Sequence, residues 1–275
     1  MSGKLFLVAT PIGNLDDMSF RAIKVLKEVD LIAAEDTRHT LGLLNNFEIS
    51  KPMISYHRHN EDVKTQVLIE KLKQGENIAL VSDAGTPGIS DPGSEVVKEA
   101  INEGIEIIPI PGACALINAL IASGLDTTEF CFIGFLPLNK KNRKEKLEFI
   151  KNCSQTLILY EAPHKVKNTL NDLKDFLGQR KLVLARELTK VHEEFKRGNI
   201  EQILERIGEP RGEFVIIIEG AELSKVSEEL VLNNLTVEEH YKFYEKQGYS
   251  KKDIIKLIAK DRNVSKNEIY QLFID

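Results

Sequence analysis

One loop of the sequence combines residue types that can hold a small charged molecule. Residues 82–93 contain three glycines, two prolines and two aspartates. Glycine permits positive φ angles and close approach of a ligand to the backbone, whereas proline stiffens the loop. The apolar run 78–81 before the loop is typical of a strand buried on both faces. Because open α/β sheets bind ligands beyond the carboxyl ends of their strands, we interpret the loop as the floor of a small-molecule site. The alternative is a rigid crossover turn.

A second group of chemically capable residues follows another apolar run. Glu35, Asp36 and Arg38 come directly after residues 31–34. A carboxylate next to a buried strand needs a partner, and such groups are suited to acid–base work. The alternative is structural, with Asp36 or Thr37 capping the following helix.

Two further charged clusters repeat this arrangement in the second half of the chain. Residues 161–165 (EAPHK) follow the apolar run 156–160, and residues 186–190 (RELTK) follow the run 182–185. Three such clusters at strand ends favour one polar cleft.

Histidine and lysine residues suggest contacts with a phosphate backbone rather than a metal. His57 and His59 stand two apart and could form a metal pair, but no third ligand is evident nearby and no metal site is expected. Residues 139–146 carry five cations against one anion. Such a run is either a solvated helix start or a patch that binds phosphates.

The strands and helices that position these residues are predicted to alternate along the chain, as in an α/β protein. Buried strands are predicted at 5–9, 31–34, 78–81 and 105–110, and then at 130–135, 156–160, 182–185 and 213–220. Helical spacing of apolar residues separates them, for example at Ala22, Val25, Leu26 and Val29. We therefore predict an α/β fold with an N-terminal domain at 1–112 and a second α/β domain at 113–222.

The remaining residues, 223–275, are predicted to form a small all-α C-terminal module. Three helix-start patterns occur at 236–239, 250–253 and 265–268. Apolar faces follow two of them, comprising Ile254, Leu257 and Ile258 and then Ile269, Leu272 and Phe273. The turn at 261–264 makes the last two helices resemble a helix–turn–helix. Residues 246–266 carry seven cations and two anions, which favours RNA contact over a tail that staples a dimer.

Composition limits the remaining possibilities. A chain of 275 residues with a net charge of −5 offers no global attraction for nucleic acid, so any such contact must be local. Three dispersed cysteines without a C-x-x-C pattern indicate a reducing compartment. Neither a signal peptide nor a membrane span is recognisable, so we expect a cytoplasmic protein with no membrane partner. The dinucleotide and triphosphate-loop glycine patterns are absent.

The motifs together resemble the tetrapyrrole-methylase superfamily and, within it, the ribosomal RNA branch, small subunit methyltransferase I. The resemblance rests on residues 8–15 (VATPIGNL), 34–38 (AEDTR), 82–93 (SDAGTPGISDPG), 111–113 (PGA), 160–165 (YEAPHK) and 185–190 (ARELTK). It covers about residues 5–220. The first loop lacks the G-x-G-P-G of the cobalamin-pathway members, which argues against a porphyrinoid substrate.

The resemblance implies a homodimer of two-domain subunits with S-adenosylmethionine in the cleft between the domains. It also implies methylation of a cytidine ribose 2′-hydroxyl in the decoding region of small-subunit (16S) ribosomal RNA, either naked or in the small ribosomal subunit. The cofactor contacts it implies are Pro11, Asp83, Ala84, Gly85, Thr86, Cys114 and Ala115. Many relatives have a hydroxyl residue at the position of Cys114, so backbone contacts are expected there.

A ribose hydroxyl is a weak nucleophile, so a general base is expected, with Glu35, Asp36, His57, Glu161 and Glu187 as the candidates and Glu35 and Glu161 preferred. The expected catalytic residues are Glu35, Glu161 and Asp36. The expected substrate or RNA contacts are Arg38, His57, Asn60, Lys140, Lys141, Arg143, His164, Arg186, Lys190, Lys251 and Lys252. Three other functions remain open on sequence alone: a methyltransferase of the same fold acting on a tetrapyrrole or another small molecule, a non-enzymatic RNA-binding module, and a nucleotide-binding hydrolase, for which metal ligands are not evident.

Overall fold

The computed structural model describes residues 2–222, 235–262 and 264–273. The N-terminal domain is built on five parallel strands in the order β3-β2-β4-β1-β5. Their bounds are β1 Leu5–Val8, β2 Leu31–Ala34, β3 Met53–Ser55, β4 Ile78–Val81 and β5 Ile107–Ile110. The predicted strands at 31–34 and 78–81 are confirmed. The strand predicted at 5–9 ends at Val8, and the strand predicted at 105–110 begins at Ile107.

Helices cover both faces of this sheet, as parallel strands require. They are α1 Phe20–Glu28, α2 Thr37–Asn46, α3 Glu61–Lys73 and α4 Ser94–Asn102. Alternate residues of β2 point to opposite faces, so Ile32 packs with α1 and α2 while Ala33 packs with α3 and α4. The expected core positions of α1, Ala22, Val25 and Leu26, are all buried.

The second sheet is mixed and has the order β6-β7-β10-β8-β9. Its strands are β6 Phe130–Gly134, β7 Thr156–Glu161, β8 Lys181–Arg186, β9 Glu194–Asn199 and β10 Phe214–Ile218. Only β6 and β7 pair in parallel; the other pairs are antiparallel. The apolar pattern of the sequence does not predict β9, an edge strand with the polar sequence EFKRGN.

Each face of the second sheet has its own helical cover. One face packs against α6 Lys140–Lys151, α7 Val166–Leu177 and α8 Ile200–Arg206, the last of which the sequence analysis also missed. The other face packs against α5 Ala115–Ile121, which precedes β6 in the chain. Ile12 and Cys114 pack partly against that same face, so loops of the first sheet abut the second sheet. The two-domain α/β fold is thus confirmed.

The described part of the C-terminal module contains α9 Val237–Lys246, α10 Lys251–Asp261 and α11 Lys266–Gln271. All three predicted helix starts are confirmed, because Thr236, Ser250 and Ser265 each accept a cap hydrogen bond from the third residue beyond. Ile254, Ile258 and Ile269 form the expected apolar core. Leu272 was wrongly placed in it: it follows the end of α11 and is 63% exposed.

Two parts of the predicted module lie outside the described residues. They are residues 223–234 and Asn263, which belongs to the turn predicted at 261–264. Among the described residues no helix is both long and apolar enough to cross a membrane.

Candidate active site

The loops that follow β1, β4 and β5 meet at the carboxyl edge of the first sheet. Thr10 and Gly85 exchange two backbone hydrogen bonds of 2.9 and 3.0 Å. The Thr10 hydroxyl also donates to the Ser82 carbonyl (3.1 Å), and the Thr86 hydroxyl donates to the Ala113 carbonyl (3.1 Å). The three loops therefore form one hydrogen-bonded surface, as expected of strands that are neighbours in the sheet.

Gly85 has a conformation that few other residues could adopt. Its φ angle is +82°, and a Cβ built on it would lie 3.2 Å from the Ile12 Cγ2. A side chain at this position would combine backbone strain with crowding of the first loop. The glycine requirement thus has a local physical cause.

A cavity of about 530 Å³ opens between this edge and the second sheet. Its volume lies within the range of small-molecule sites. The first domain lines it with Ile12, Glu35, Asp83, Ala84, Gly85, Thr86, Ile89, Ser90 and Asp91. The second-sheet side contributes Cys114, Ala115, Phe135, Tyr160, Glu161, Ala162, Pro163, Glu213, Phe214 and Val215.

Most of the residues expected to contact the cofactor line this cavity. Asp83, Ala84, Gly85, Thr86, Cys114 and Ala115 do so, whereas Pro11 does not and its neighbour Ile12 takes that place. The Cys114 thiol makes no helix-cap hydrogen bond. Instead, the Leu116 N–H at the start of α5 donates to the Tyr160 hydroxyl (3.1 Å). Tyr160 of the second sheet thus accepts a backbone N–H at the start of α5, where Cys114 provides no cap.

Three carboxylates face one another on the first-domain side. Partial burial and the neighbouring Asp83 raise the pKa of Glu35 above its ordinary value, although the Asp83 backbone N–H opposes the shift. Burial and the charge of Glu35 raise the pKa of Asp91 to about 6, against the opposing effect of Arg58. A carboxyl group with a pKa near neutrality is suited to accept a proton. Sequence reasoning had not singled out Asp91, although it lies in the loop motif.

The region also holds Arg58 and His57 at its rim. The Arg58 guanidinium donates to the Ser90 carbonyl, which ties the segment after β3 to the glycine-rich loop. His57 Nε2 lies 3.2 Å from the Asn60 side-chain nitrogen, and its buried Nδ1 has no hydrogen-bond partner. Within the described residues, no three His, Cys, Asp or Glu side chains are grouped as a metal site.

Asp36 has a structural role at the start of α2. Its carboxylate accepts the Arg38 N–H at 2.8 Å, and this bond lowers the pKa of Asp36. Its own N–H donates to Asp83 Oδ1 at 3.0 Å. Asp36 is exposed and does not line the cavity, so the capping alternative describes its side chain.

Glu161 lines the cavity, but both of its carboxylate oxygens already accept hydrogen bonds. Oε1 accepts the Ala162 N–H (2.9 Å), and Oε2 accepts the Thr169 hydroxyl (2.5 Å). Thr169 in turn accepts from the Arg143 guanidinium (2.8 Å), whose Nε donates to Asp172 (2.7 Å). With 5% exposure, Glu161 is the buried end of a network that joins β7 to α6 and α7.

The second charged cluster of this domain forms another closed network. Lys190 Nζ lies 3.0 Å from both Glu187 and Glu213, and Glu187 Oε1 also accepts the Glu213 N–H at 3.0 Å. The Lys190 chain passes over Gly13, where an added Cβ would lie 2.3 Å from the Lys190 Cγ. Lys190 therefore spans from the second sheet to the first loop. Arg186 is half-buried and lies 3.8 Å from Glu194.

None of the residues expected to contact RNA lines the cavity itself. The exposed ones are Arg38, Lys140, Lys141, His164, Lys251 and Lys252; the partly buried ones are His57, Asn60, Arg143, Arg186 and Lys190. Asn60 is engaged by the loop before α3, because its side chain accepts the His57 N–H at 2.8 Å and makes no cap hydrogen bond to the helix. The exposed lysines of the first set lie at the start of α6 and at the start of α10.

The cavity suits the S-adenosylmethionine that the motif resemblance implies. The sulfonium and ammonium groups of that molecule are cations, and Glu35, Asp83 and Asp91 supply the opposite charge. Gly85 and the alanines beside it leave room for close backbone approach. Ile12 and Phe214 provide apolar walls. The negative charges that line the cavity and its volume both fit such a molecule.

Comparisons with known proteins agree with this geometry. A family model described as tetrapyrrole (corrin/porphyrin) methylases matches residues 4–204. The chain is 51% identical to ribosomal RNA small subunit methyltransferase I of Halalkalibacterium halodurans and 49% identical to the protein of the same name from Bacillus subtilis. Each match covers 98% of this chain and 94% of the relative.

A solved structure shows that the fold is shared more widely. The uroporphyrin-III C-methyltransferase of Thermus thermophilus, complexed with S-adenosyl homocysteine, superposes with a TM-score of 0.57 at 17% identity. The match covers 82% of this chain and 100% of that chain.

Proposed function

The chain belongs to the tetrapyrrole methylase family and, within it, to the family of ribosomal RNA small subunit methyltransferase I, and on this premise we propose that it methylates small-subunit (16S) ribosomal RNA with S-adenosylmethionine as donor. The acceptor we propose is the ribose 2′-hydroxyl of a cytidine in the decoding region, in line with the motifs of the sequence. The observation that carries the proposal is the cavity between the two sheets, with its glycine-rich floor and facing carboxylates.

S-adenosylmethionine, when bound, would supply a methyl group whose carbon a hydroxyl oxygen attacks in line, so that the O–CH₃ bond forms while the S–CH₃ bond breaks and S-adenosylhomocysteine leaves. The chief task of the protein is to hold the two reactants in that alignment, which is worth about 7–11 kcal/mol of the barrier. Thr10, Gly85 and Thr86 fix the floor through the hydrogen bonds between the loops. A preformed floor of this kind avoids reorganisation during the reaction.

A ribose hydroxyl is a weak nucleophile, so a positioned base adds about 10²–10⁴-fold to the rate. We propose that Asp91, with Glu35 beside it, accepts the proton that the ribose hydroxyl loses as its oxygen takes the methyl group. Both line the cavity and both have raised pKa values, that of Asp91 to about 6. The hydrogen bonds to Glu161 and the capping role of Asp36 leave those two carboxylates less able to serve.

Contacts with the RNA backbone are proposed for the two basic surfaces outside the cavity. Lys140 and Lys141 lie exposed at the start of α6, and Lys251 and Lys252 lie exposed at the start of α10. Lys252 and Lys256 stand on the same helix one turn apart. Cations spaced along two elements can bind successive phosphates, as a net-negative protein requires for RNA. A ribosomal substrate also places the proposed activity in the cytoplasm.

We further propose that the functional unit is a homodimer. Ile121 on α5 is 67% exposed and Val191 is 96% exposed, and Ile121 borders a depression also lined by Leu188 and Phe195. Apolar side chains grouped on a surface are typical of an interface between subunits. Light scattering of the wild type and of Ile121→Glu tests this: a dimer that dissociates in the variant supports it, and a wild-type monomer contradicts it.

The proposed reaction is tested by methyl transfer to ribosomal subunits. Small subunits from a strain that lacks this gene are incubated with the protein and methyl-labelled S-adenosylmethionine, and the RNA is digested to nucleosides for mass spectrometry. The proposal predicts label in 2′-O-methylcytidine of small-subunit RNA. Subunits from a strain that carries the gene are the matched control and should accept little label. Label on a base, or no label at all, would contradict the proposal.

A further inference from the structure

An exposed aromatic ring stands in the wall of the cavity. Phe135 is 54% exposed, yet it is one of the cavity-lining residues. Scattered surface apolar residues need no explanation. Among the exposed phenylalanines of the described residues, however, Phe20, Phe130 and Phe149 are not part of the cavity and only Phe135 is. Phe135 therefore exposes an aromatic ring to any molecule that enters the cavity.

Local backbone structure directs Phe135 to this place. The register of β6 against β7 shifts between Phe132 and Gly134, and Gly134 has a φ angle of +69°. This left-handed residue ends the strand one position before Phe135. A Cβ on Gly134 would lie 3.7 Å from the Ser90 hydroxyl oxygen, so the end of β6 packs beside the glycine-rich loop. Phe135 consequently neighbours the segment that carries Asp91.

The ring is supported from behind. Tyr160 meets the Phe135 ring edge-to-face at a centroid distance of 5.8 Å, and Phe132 meets Tyr160 in the same way at 5.0 Å. The Tyr160 hydroxyl is held by the Leu116 N–H. Three aromatic rings thus form an edge-to-face cluster that ends in the exposed Phe135. A ring prearranged in this way loses little side-chain entropy when a ligand binds.

We propose that Phe135 is a stacking platform for the base of the target nucleotide. This inference rests on the proposed function, because it assigns the base of the RNA acceptor to a named surface of the same site. Enzymes that do chemistry on a base draw it out of its stack, and the unstacked bases of RNA pack on aromatic side chains. We apply the same logic to a ribose acceptor, because a nucleotide that enters the cavity also leaves its neighbours in the stack. A base on Phe135 leaves its ribose beside the Ser90–Asp91 segment, where the proposed proton acceptor lies.

The proposal separates recognition of RNA from binding of the methyl donor. Stacking of one base on an aromatic ring changes affinity by about 5- to 150-fold. Phe135→Ala is therefore expected to raise the KM for small ribosomal subunits by at least about fivefold, while the Kd for S-adenosylmethionine stays at the wild-type value. Phe135→Trp is expected to restore the KM, and Phe135→Leu, which keeps apolar volume without a π face, is expected to restore little of it.

The experiment measures kcat and KM with subunits from a strain lacking the gene, and the Kd of S-adenosylmethionine by calorimetry, for the wild type and these variants. Phe149→Ala is the matched control, because Phe149 is 66% exposed on α6 outside the cavity. An unchanged KM in Phe135→Ala, full activity of Phe135→Leu, or an equal loss of donor affinity would each overturn the proposal. Failure of the function itself is distinguishable, since the wild type would then transfer no methyl group.

Discussion

Thr10 and Gly85 are joined by a reciprocal pair of backbone hydrogen bonds, although each lies in a loop beyond its strand. The pair extends the contact between β1 and β4 past the ends of both strands. It also holds the glycine-rich loop against the first loop, whose Ile12 packs towards the second sheet. The floor of the cavity is thereby fixed to both of its walls.

Asp36 is expected to stabilise α2 without taking part in methyl transfer. Asp36→Ala removes the acceptor of the Arg38 N–H and should lower the free energy of unfolding. Asp36→Ser retains a capping oxygen and should recover most of the loss. Urea unfolding and a methyl-transfer assay with small ribosomal subunits measure both quantities. A 100-fold loss of kcat in Asp36→Ser, in a stably folded protein, would instead identify Asp36 as catalytic.

Asp91 is expected to make methyl transfer depend on pH. The ionised carboxylate accepts the proton, so kcat/KM should rise as pH increases through an apparent pKa of about 6 and level off above it. Asp91→Asn should lower kcat by about 10²–10⁴-fold. Calorimetry should still find S-adenosylmethionine bound to this variant. A variant with wild-type kcat would exclude Asp91 as the base.

The Asp91 carboxyl group is also expected to make stability depend on pH, but stability should fall as pH rises, whereas activity should increase. Because its folded-state pKa is raised from 3.8 to about 6, the folded protein holds the proton more tightly than the unfolded chain. The associated stability is present below pH 4 and is lost as pH rises through about 6. Asp91→Asn avoids that loss and should be more stable than the wild type at pH 8, by about 1–3 kcal/mol at most, with no gain at pH 4.

The Glu161–Thr169 hydrogen bond is expected to support the structure more than the reaction. Glu161→Gln and Thr169→Val should each destabilise the fold by about 1–3 kcal/mol, since each disturbs a buried hydrogen bond. The double variant should lose less than the sum, because the two residues share that bond. Chemical unfolding of the four proteins measures the cycle. Additive losses together with a kcat lowered 100-fold in Glu161→Gln would favour a catalytic role.

Lysines on the two basic surfaces are expected to act through the RNA backbone. Lys140→Ala and Lys252→Ala should each weaken binding to ribosomal RNA and reduce the slope of log affinity against log salt by about one. Lys24→Ala is a suitable control, because Lys24 is exposed on α1 and lies 3.9 Å from Glu28. Filter binding across a range of salt concentrations measures the slopes. Slopes equal to that of the control would place the RNA elsewhere.

The elements around the central loop could be predicted from sequence because several local signals agree there. The buried run 78–81, the glycines and prolines after it and the start of α4 at Ser94 all follow from local chemistry. The helix N-caps Thr236, Ser250 and Ser265 could likewise be predicted from the sequence. Their hydrogen bonds join residues three apart, so a short stretch of sequence contains the whole interaction.

Features that depend on distant neighbours were not accessible in the same way. The edge strand β9 pairs only with β8 and lacks the apolar pattern of a buried strand. Asp91 acquires its raised pKa from burial and from Glu35, which lies on another loop. Glu161 is preferred as a base on sequence, but its Oε2 accepts the hydroxyl of Thr169 on α7. In each case the decisive partner is set by tertiary packing.

The most direct measurement of the central claim is calorimetric titration of the protein with S-adenosylmethionine. The wild type should bind saturably, whereas Gly85→Val should not, because a side chain at a φ of +82° and 3.2 Å from Ile12 distorts the floor. Gly42→Ala is the matched control: a Cβ there meets nothing within 4 Å, so its affinity should equal that of the wild type. Absence of binding by the folded wild type, or undiminished binding by Gly85→Val, would contradict the account.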